Sequence, residues 1–222
     1  MPRVGLVFVS HSARIAEGLV ELAAQMAPSV ALQAAGGTDD GGIGTSFERV
    51  QAGIAAADGG AGVVVIGDLG SAILTAETAV ELLDERPAGG VEVLDVPIVE
   101  GGVAAAVAAE GGADLAAVVA AARSASPGAP AADEPAPAPT APTAAEVELG
   151  DPEGLHARPA AELVKLASRF QARVQVNGRD ARSLLGILAL GLRQGATVRI
   201  EAEGDDATEA VEAVADLLAR RG

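Results

Sequence analysis

The residues of this sequence with the clearest capacity for chemistry lie in the stretch Gly154–Ala160, which reads GLHARPA. An apolar helical pattern follows, so Pro159 falls in the first turn of a predicted helix, where a missing N–H costs nothing. His156 then lies at the mouth of that helix, where free N–H groups such as that of Ala157 favour an anion. Arg158 adds a guanidinium that suits phosphate oxygens. The pattern fits a nucleophilic imidazole that carries a phosphoryl group, and a surface histidine near a helix cap fits the same residues.

Two blocks of the sequence resemble HPr, the histidine phosphocarrier of the bacterial phosphotransferase system. The first is the stretch just described, and the second reads RSLLGILALGL and then GATV, at residues 182–192 and 195–198. The resemblance covers about residues 146–222. It implies that His156 is phosphorylated on one ring nitrogen by enzyme I and that Arg158 assists.

The other histidine of the sequence, His11, follows a short apolar run and lies between Ser10 and Ser12. Taken alone it fits a loop residue, and the distant Asp68 fits a turn. Taken together they fit a different chemistry, because a carboxylate can fix one imidazole tautomer and leave the other nitrogen free to attack phosphorus. The sequence therefore predicts a second phosphoryl-accepting histidine at position 11.

Apolar, β-branched runs alternate with helical patterns over the first 123 residues. The predicted strands are Val4–Val9, Val30–Ala35, Gly62–Gly67 and a segment within Val91–Val99, and Glu100–Gly102 then leads into Ala-rich helices as far as Arg123. This alternation predicts an α/β domain with an open, mainly parallel sheet and flanking helices. Ligands of such sheets bind beyond the carboxyl ends of the strands, where helix N-termini converge. The polar residues at those ends are predicted to stabilise phosphate: Ser10, Ser12, Thr45, Ser46, Asp68 and Ser71.

Glycine-rich loops follow these strands, but their spacing fits no nucleotide-binding motif. No lysine follows the glycines as in a Walker A loop, and Ser10-His11-Ser12 occupies the turn where a dinucleotide fingerprint needs glycine. Two distant histidines and the absence of cysteine make a poor set of metal ligands. The sequence therefore predicts neither a metal site nor a cofactor.

Several blocks of this first domain resemble the mannose-type enzyme IIA fold, and most closely the phosphotransferase subunit of dihydroxyacetone kinase (DhaM type). They read VFVSHS with IAEG, GTSF, DLGSA and VPIVEG. The resemblance covers about residues 1–123 and implies that His11 is phosphorylated, that Asp68 orients it, and that the domain forms a homodimer. Some members carry an enzyme I-like domain after the HPr domain. Because this sequence ends at Gly222, a separate enzyme I is expected.

Residues 124–145 read SASPGAPAADEPAPAPTAPTAA and hold six of the twelve prolines of the chain. Such a segment cannot bury a core, and it predicts an extended tether with a reach on the order of 60–70 Å in polyproline II. A tether would raise the local concentration of one histidine near the other. An inert spacer between fused genes fits the same residues.

The second domain, residues 146–222, is predicted to be an α+β open-faced sandwich, with helices on one face of an antiparallel sheet. Its predicted elements are a strand at 146–149, a helix from Ala157, a strand at 173–177 with a tight Asn177-Gly178 turn, a short strand, a helix from Ser183, a strand at 197–203 and a last helix to Arg220, capped by Asp205 or Asp206. Ser183 is structurally an ordinary N-cap. In some HPr relatives the matching serine is a regulatory phosphorylation site.

Composition and charge restrict the partners of this chain. Residues 1–145 hold 5 basic and 18 acidic residues, a net charge of −13, and residues 146–222 hold 10 and 13, a net charge of −3. An acidic chain with three Phe and no Tyr or Trp is unsuited to nucleic acid. With no apolar run of spanning length, no leader and no cysteine, the sequence predicts a cytoplasmic protein without membrane contact.

These patterns together predict a two-stage phosphoryl carrier. Enzyme I would phosphorylate His156, the group would pass to His11, and it would then pass to ADP on a kinase subunit that acts with a dihydroxyacetone-binding subunit. Two alternatives remain open at this stage. The relay could serve a sugar transporter through an enzyme IIB, or the chain could be a regulatory module read through its phosphorylation state.

Overall fold

The structure, a computed structural model, describes residues 2–126 and 143–220. The chain divides into two compact units, residues 1–129 and 130–222. Most of the predicted linker, residues 127–142, lies outside the described residues. In the part of the chain that the structure describes, no helix is both long and apolar enough to cross a bilayer.

The first unit is a four-stranded parallel sheet flanked by helices. Its elements are β1 (Gly5–Ser10), α1 (Ala13–Ala24), β2 (Leu32–Gly36), α2 (Phe47–Ala57), β3 (Val63–Gly67), α3 (Gly70–Glu81), β4 (Val91–Leu94), α4 (Ile98–Glu110) and α5 (Leu115–Arg123). The strand order is β2-β1-β3-β4, and all three strand pairs are parallel. The predicted open parallel sheet is confirmed.

Side chains that alternate along the two central strands build a core on each face of this sheet. Leu6 and Phe8 of β1 pack with α1, α4 and α5, whereas Val7 and Val9 pack with α2 and α3. All four side chains are buried because helices cover both faces. This double burial explains the continuous apolar runs in the sequence.

Helix α4 begins earlier than the sequence analysis predicts. Glu100–Gly102, expected to precede the helix, lies inside it, because Pro97 occupies the N-cap position and the helix starts at Ile98. The two glycines permit close packing. A Cβ on Gly101 would lie 2.7 Å from Cγ2 of Val96, and one on Gly102 would lie 2.5 Å from Cε1 of Phe8.

The second unit is a four-stranded antiparallel sheet with helices packed on one face. Its elements are β5 (Thr143–Glu148), α6 (Ala157–Ala167), β6 (Arg173–Val176), β7 (Arg179–Asp180), α7 (Leu184–Leu188), β8 (Thr197–Glu203) and α8 (Ala207–Ala219). The strand order is β5-β8-β6-β7. Asn177 and Gly178 both have positive φ, at 47° and 77°, as the predicted tight turn between β6 and β7 requires.

Two local predictions for this unit differ from the structure. Strand β5 begins at Thr143, three residues before the predicted start, because its backbone pairs with β8 as far as Ala202. Asp206 stands at the N-cap of α8 but makes no side-chain cap. Its carboxylate instead accepts the N–H groups of Gln171 and Ala172, at 2.8 and 2.7 Å, and these bonds, that from Gln171 foremost, hold the pKa of Asp206 below its ordinary value.

Candidate functional site

His11 lies at the carboxyl edge of the parallel sheet, between the end of β1 and the start of α1. Strand β1 ends at Ser10, and Ser12 is the N-cap residue of α1. The backbone around the ring is fixed on two sides, because Gly44 N–H donates to the His11 carbonyl at 2.9 Å and Ser12 N–H donates to Ser10 Oγ at 3.1 Å. The imidazole is therefore carried on a constrained turn.

Asp68, which follows β3, holds His11 through both carboxylate oxygens. Oδ1 accepts from Nδ1 of the ring at 2.9 Å. Oδ2 accepts from the His11 backbone N–H at 2.9 Å and from Ser10 Oγ at 2.8 Å. Because an ionised carboxylate can only accept, the ring proton is on Nδ1 and the lone pair is on Nε2.

The ionisation of Asp68 follows from this set of donors. Partial burial by itself raises the pKa of the carboxyl group, but the hydrogen bonds from the His11 ring, the His11 N–H and Ser10 outweigh it. The net result is a pKa below the ordinary value for Asp68. The carboxylate is consequently ionised at neutral pH and able to orient the ring.

Nε2 of His11 faces the first turn of α3. Ser71 Oγ lies 2.7 Å from Nε2 and donates its proton there, because Nδ1 already carries the ring proton. Ser71 is the second residue of α3, whose first-turn N–H groups have no acceptor within the helix. The nucleophilic nitrogen thus points toward a helix mouth that favours phosphate oxygens.

A second hydroxyl pair supports this turn, and one of its members was not predicted. Thr75 Oγ1 donates to the Ser71 carbonyl at 2.9 Å, and Thr45 Oγ1 lies 2.9 Å from Thr75 Oγ1. Thr75 is four residues after Ser71 on the same helix, a spacing that could have indicated it. Ser46, in contrast, bonds away from His11, because its hydroxyl caps α2 at Arg49 N–H and donates to Asp39.

His156 is the N-cap residue of α6, as the sequence predicts. Its ring is half-exposed, and Nε2 lies 3.3 Å from Oε2 of Glu153, a partner that the sequence analysis did not single out. The preceding loop is fixed at Gly154, whose φ is +78° and whose Cβ position lies 2.5 Å from the carbonyl oxygen of Leu192. Only glycine fits there.

Arg158 extends from the first turn of α6 into solvent. Its Nε is 4.0 Å from Oε1 of Glu162, and its side chain is 77% exposed. Arg158 and His156 line the same open depression, together with the carboxylates of Asp151, Glu153 and Glu162. The structure therefore places Arg158 beside the histidine without direct contact, and it adds acidic groups that the sequence analysis did not anticipate.

The remaining predicted residues occupy helix starts. The first-turn N–H of Ala157 has no acceptor within α6. Ser183 is the N-cap of α7 and accepts from Gly186 N–H at 3.1 Å, which is the structural role the sequence predicts. Within residues 2–126 and 143–220, no three His, Cys, Asp or Glu side chains cluster so as to hold a metal ion.

Family models match the two units separately. That of the PTS system fructose IIA component matches residues 5–119, and that of the PTS HPr component phosphorylation site matches residues 143–220. A parallel-sheet unit with a histidine at a strand end and an antiparallel unit with a histidine at a helix mouth thus define a protein of the phosphotransferase system, in which a IIA domain is joined to an HPr domain.

Similarity to curated proteins over almost the whole of this chain identifies one family within this class. The phosphoryl donor subunit DhaM of a PEP-dependent dihydroxyacetone kinase from Escherichia coli strain K12 is 38% identical, over 96% of this chain and 49% of its own length. The phosphoryl donor subunit DhaM of PEP-dependent dihydroxyacetone kinase 2 from Listeria innocua is 41% identical, over 47% of this chain and 84% of its own length. The chain belongs to the DhaM family, as the sequence resemblance predicts. It spans about half the length of the longer curated relatives it matches.

One solved structure resembles the first unit. It is the crystal structure of a protein of unknown function that is 33% identical, covers 56% of this chain and 96% of its own, and has a TM-score of 0.50. It agrees with the IIA-type fold and adds no function.

Proposed function

We propose that this chain is a two-stage histidine phosphoryl carrier of a PEP-dependent dihydroxyacetone kinase. Enzyme I, charged by phosphoenolpyruvate, phosphorylates His156. The group passes to His11 and then to ADP on the nucleotide-binding kinase subunit, which acts with the dihydroxyacetone-binding subunit. Membership of the DhaM family supports this assignment, since its named relatives are phosphoryl donor subunits.

The observation that carries the proposal is the placement of the His11 ring between Asp68 and Ser71. Asp68 holds the proton on Nδ1, at 2.9 Å, so Nε2 is the nucleophile. Its lone pair attacks phosphorus in line while the bond from phosphorus to the His156 nitrogen breaks. Ser71 then turns its hydroxyl from Nε2 to a phosphoryl oxygen, and the α3 N-terminus offers free N–H groups to the others.

At His156 the corresponding nitrogen is Nδ1, because Nε2 faces Glu153 at 3.3 Å. The first turn of α6, including the N–H of Ala157, supplies donors for the equatorial oxygens. Arg158 is exposed and unengaged by the ring, so its guanidinium can swing onto the phosphoryl group or onto an approaching partner. The metal-dependent transfer to ADP belongs to the partner subunit.

The domain plan that serves this relay has three parts. Residues 1–123 form the IIA domain and its homodimer interface. The tether predicted at residues 124–145 stops short of Thr143, where β5 begins, so the HPr domain comprises residues 143–222. Ser183, whose hydroxyl lies at the N-cap of α7, is the residue we propose for regulatory phosphorylation. Phosphate there would meet the free N–H groups of a helix start.

Intact mass after incubation with enzyme I and phosphoenolpyruvate tests the order of the relay. We expect two acid-labile phosphates on the wild-type chain, one on His11→Ala and none on His156→Ala. His11→Ala should also fail to transfer phosphate to the ADP-bound kinase subunit. Charging of His11 in the absence of His156 would contradict the serial order. Stable charging of both histidines with no transfer to the kinase would contradict the kinase assignment.

A further inference from the structure

The carrier histidine of the second unit has a carboxylate neighbour that takes part in none of the bond-making and bond-breaking steps of the proposed relay. Oε2 of Glu153 lies 3.3 Å from Nε2 of His156, three residues further along the chain. Both side chains face solvent in the depression that also contains Arg158. An isolated exposed pair of this kind contributes little to stability, so its effect on the chemistry of the ring is the role to consider.

The backbone that carries Glu153 is constrained. Its N–H donates to Oδ1 of Asp151 at 2.9 Å, and Gly154 N–H donates to the Asp151 carbonyl at 3.1 Å. Gly154 is pressed against Leu192 in a positive-φ conformation. His156 N–H closes the loop by donating to the Gly154 carbonyl at 3.0 Å. The carboxylate and the imidazole are therefore presented to each other by a fixed turn.

We propose that Glu153 is a positioning residue for His156, a role that rests on the proposed carrier function. The carboxylate accepts a hydrogen bond from Nε2–H. This favours the tautomer in which the proton is on Nε2 and the lone pair is on Nδ1. Attack by Nδ1 leaves the ring positively charged with the proton still on Nε2. Glu153 stabilises that charge, as a carboxylate does for the imidazolium of a hydrolase triad.

The step balances without another reactant. The Nδ1 lone pair forms a bond to phosphorus, and the bond from phosphorus to the donor nitrogen of enzyme I breaks, with its electron pair going to that nitrogen. The Nε2 proton stays beside Glu153 throughout. When the phosphoryl group passes on to His11, the bond between Nδ1 of His156 and phosphorus breaks, and its electron pair returns to Nδ1.

The arrangement is the counterpart of that at His11 with the ring nitrogens exchanged. There Asp68 holds Nδ1 and leaves Nε2 free, with two further donors on the same carboxylate. At His156 the carboxylate holds Nε2, is largely exposed and is longer by one methylene. We therefore expect Glu153 to act more weakly on its ring than Asp68 does on His11.

Two substitutions in the full chain separate the parts of this role. Glu153→Ala removes the acceptor and the charge, whereas Glu153→Gln keeps an amide oxygen that can accept the Nε2 proton. Glu209→Gln, on the exposed first turn of α8, is the matched charge control. The readouts are the His156 tautomer, from ¹⁵N shifts of the ring, and the rate of charging by enzyme I.

We expect Glu153→Ala to lower both the fraction of the Nε2–H tautomer and the charging rate, the latter about twofold to fivefold, as befits an exposed pair. Glu153→Gln should keep the tautomer and lose part of the rate, and Glu209→Gln should match wild type. A wild-type tautomer ratio or rate in Glu153→Ala overturns the role of Glu153 while wild type still charges. Failure of wild type to charge at all would instead overturn the carrier function.

Discussion

At the scale of single residues, each histidine lies beside one carboxylate, and we propose that the carboxylate decides which ring nitrogen is free. Asp68 is ionised, partly buried and bound by three donors, so the His11 ring has one orientation. The sequence could indicate His11 and Asp68 because they follow strand ends. It could not indicate Glu153, because an acidic residue in a loop has no pattern that marks it as aimed at a ring.

Replacing Asp68 with Asn tests the orientation of the His11 ring. The Asn amide can place its N–H toward Nδ1 and so favour the wrong tautomer, with the lone pair on Nδ1. We expect phosphoryl transfer from His156 to His11 to fall on the order of 10²- to 10⁴-fold, while charging of His156 is unchanged. Single-turnover transfer measures this, with the exposed Asp84→Asn as control. Equal rates for the two variants would contradict the role of Asp68.

The lowered pKa of Asp68 also predicts a pH dependence of stability. A carboxyl group whose pKa is lower in the folded state stabilises the fold above its unfolded pKa of about 4, and that contribution disappears as pH falls through the folded value. The free energy of unfolding of wild type minus that of Asp68→Asn should therefore shrink as the solution is acidified below pH ~4. Denaturant titrations of both proteins across that range measure the difference. A constant difference would show that the folded state does not lower this pKa.

At the scale of elements, the sequence predicts the alternation of buried strands and helices because the spacing of apolar residues differs between the two kinds of segment. The four strands of the parallel sheet in the first unit lie within a few residues of their predicted positions. In the second unit the tight Asn177-Gly178 turn also lies where the sequence predicts it. The failures occur where tertiary packing overrides local signals. Helix α4 contains Gly101 and Gly102, which read as a loop but allow contact with Val96 and Phe8. Strand β5 starts in a Thr-Ala-Ala segment because β8 pairs with it.

Two glycine-to-alanine substitutions within helices should have opposite effects. At Gly102 the new methyl group would lie 2.5 Å from Phe8 Cε1, and overpacking should destabilise the chain by about 1–3 kcal/mol despite the better helix propensity of alanine. At Gly18 of α1 nothing lies within 4 Å, so alanine should stabilise by about 0.5–1 kcal/mol. Chemical denaturation of both variants measures the two signs. Stabilisation by Gly102→Ala would contradict the packing of α4 on β1.

At the scale of the whole molecule, the two histidines proposed to carry phosphoryl groups lie on separate units, and each ring reaches solvent. The side chain of His11 is 23% exposed and that of His156 is 42% exposed. Each ring can therefore be reached by a partner that does not belong to the unit that carries the ring. A relay between them consequently does not require the two rings to belong to one chain.

Mixing His11→Ala with His156→Ala tests transfer between chains. Each variant retains one ring, so we expect the mixture to restore transfer to the ADP-bound kinase subunit, with a rate that rises with protein concentration. Wild type should depend less on concentration, because the proposed tether would hold the second ring at an effective concentration in about the millimolar range. Rates over a dilution series of the mixture and of wild type measure this. A mixture that stays inactive at high concentration would restrict the relay to one chain.

The hydrogen bond between Ser71 and Nε2 of His11 has a consequence for the working cycle of the site. In the proposed relay this bond uses the same lone pair that attacks phosphorus, so it exists only while the ring is empty. The contact with Asp68 uses the other nitrogen and persists whether or not the ring is loaded. His11 thus has one permanent partner and one that alternates. Thr75 donates to the Ser71 carbonyl and not to its hydroxyl, so the empty and the loaded ring differ in the position of the Ser71 hydroxyl while the helix turn that carries it stays fixed.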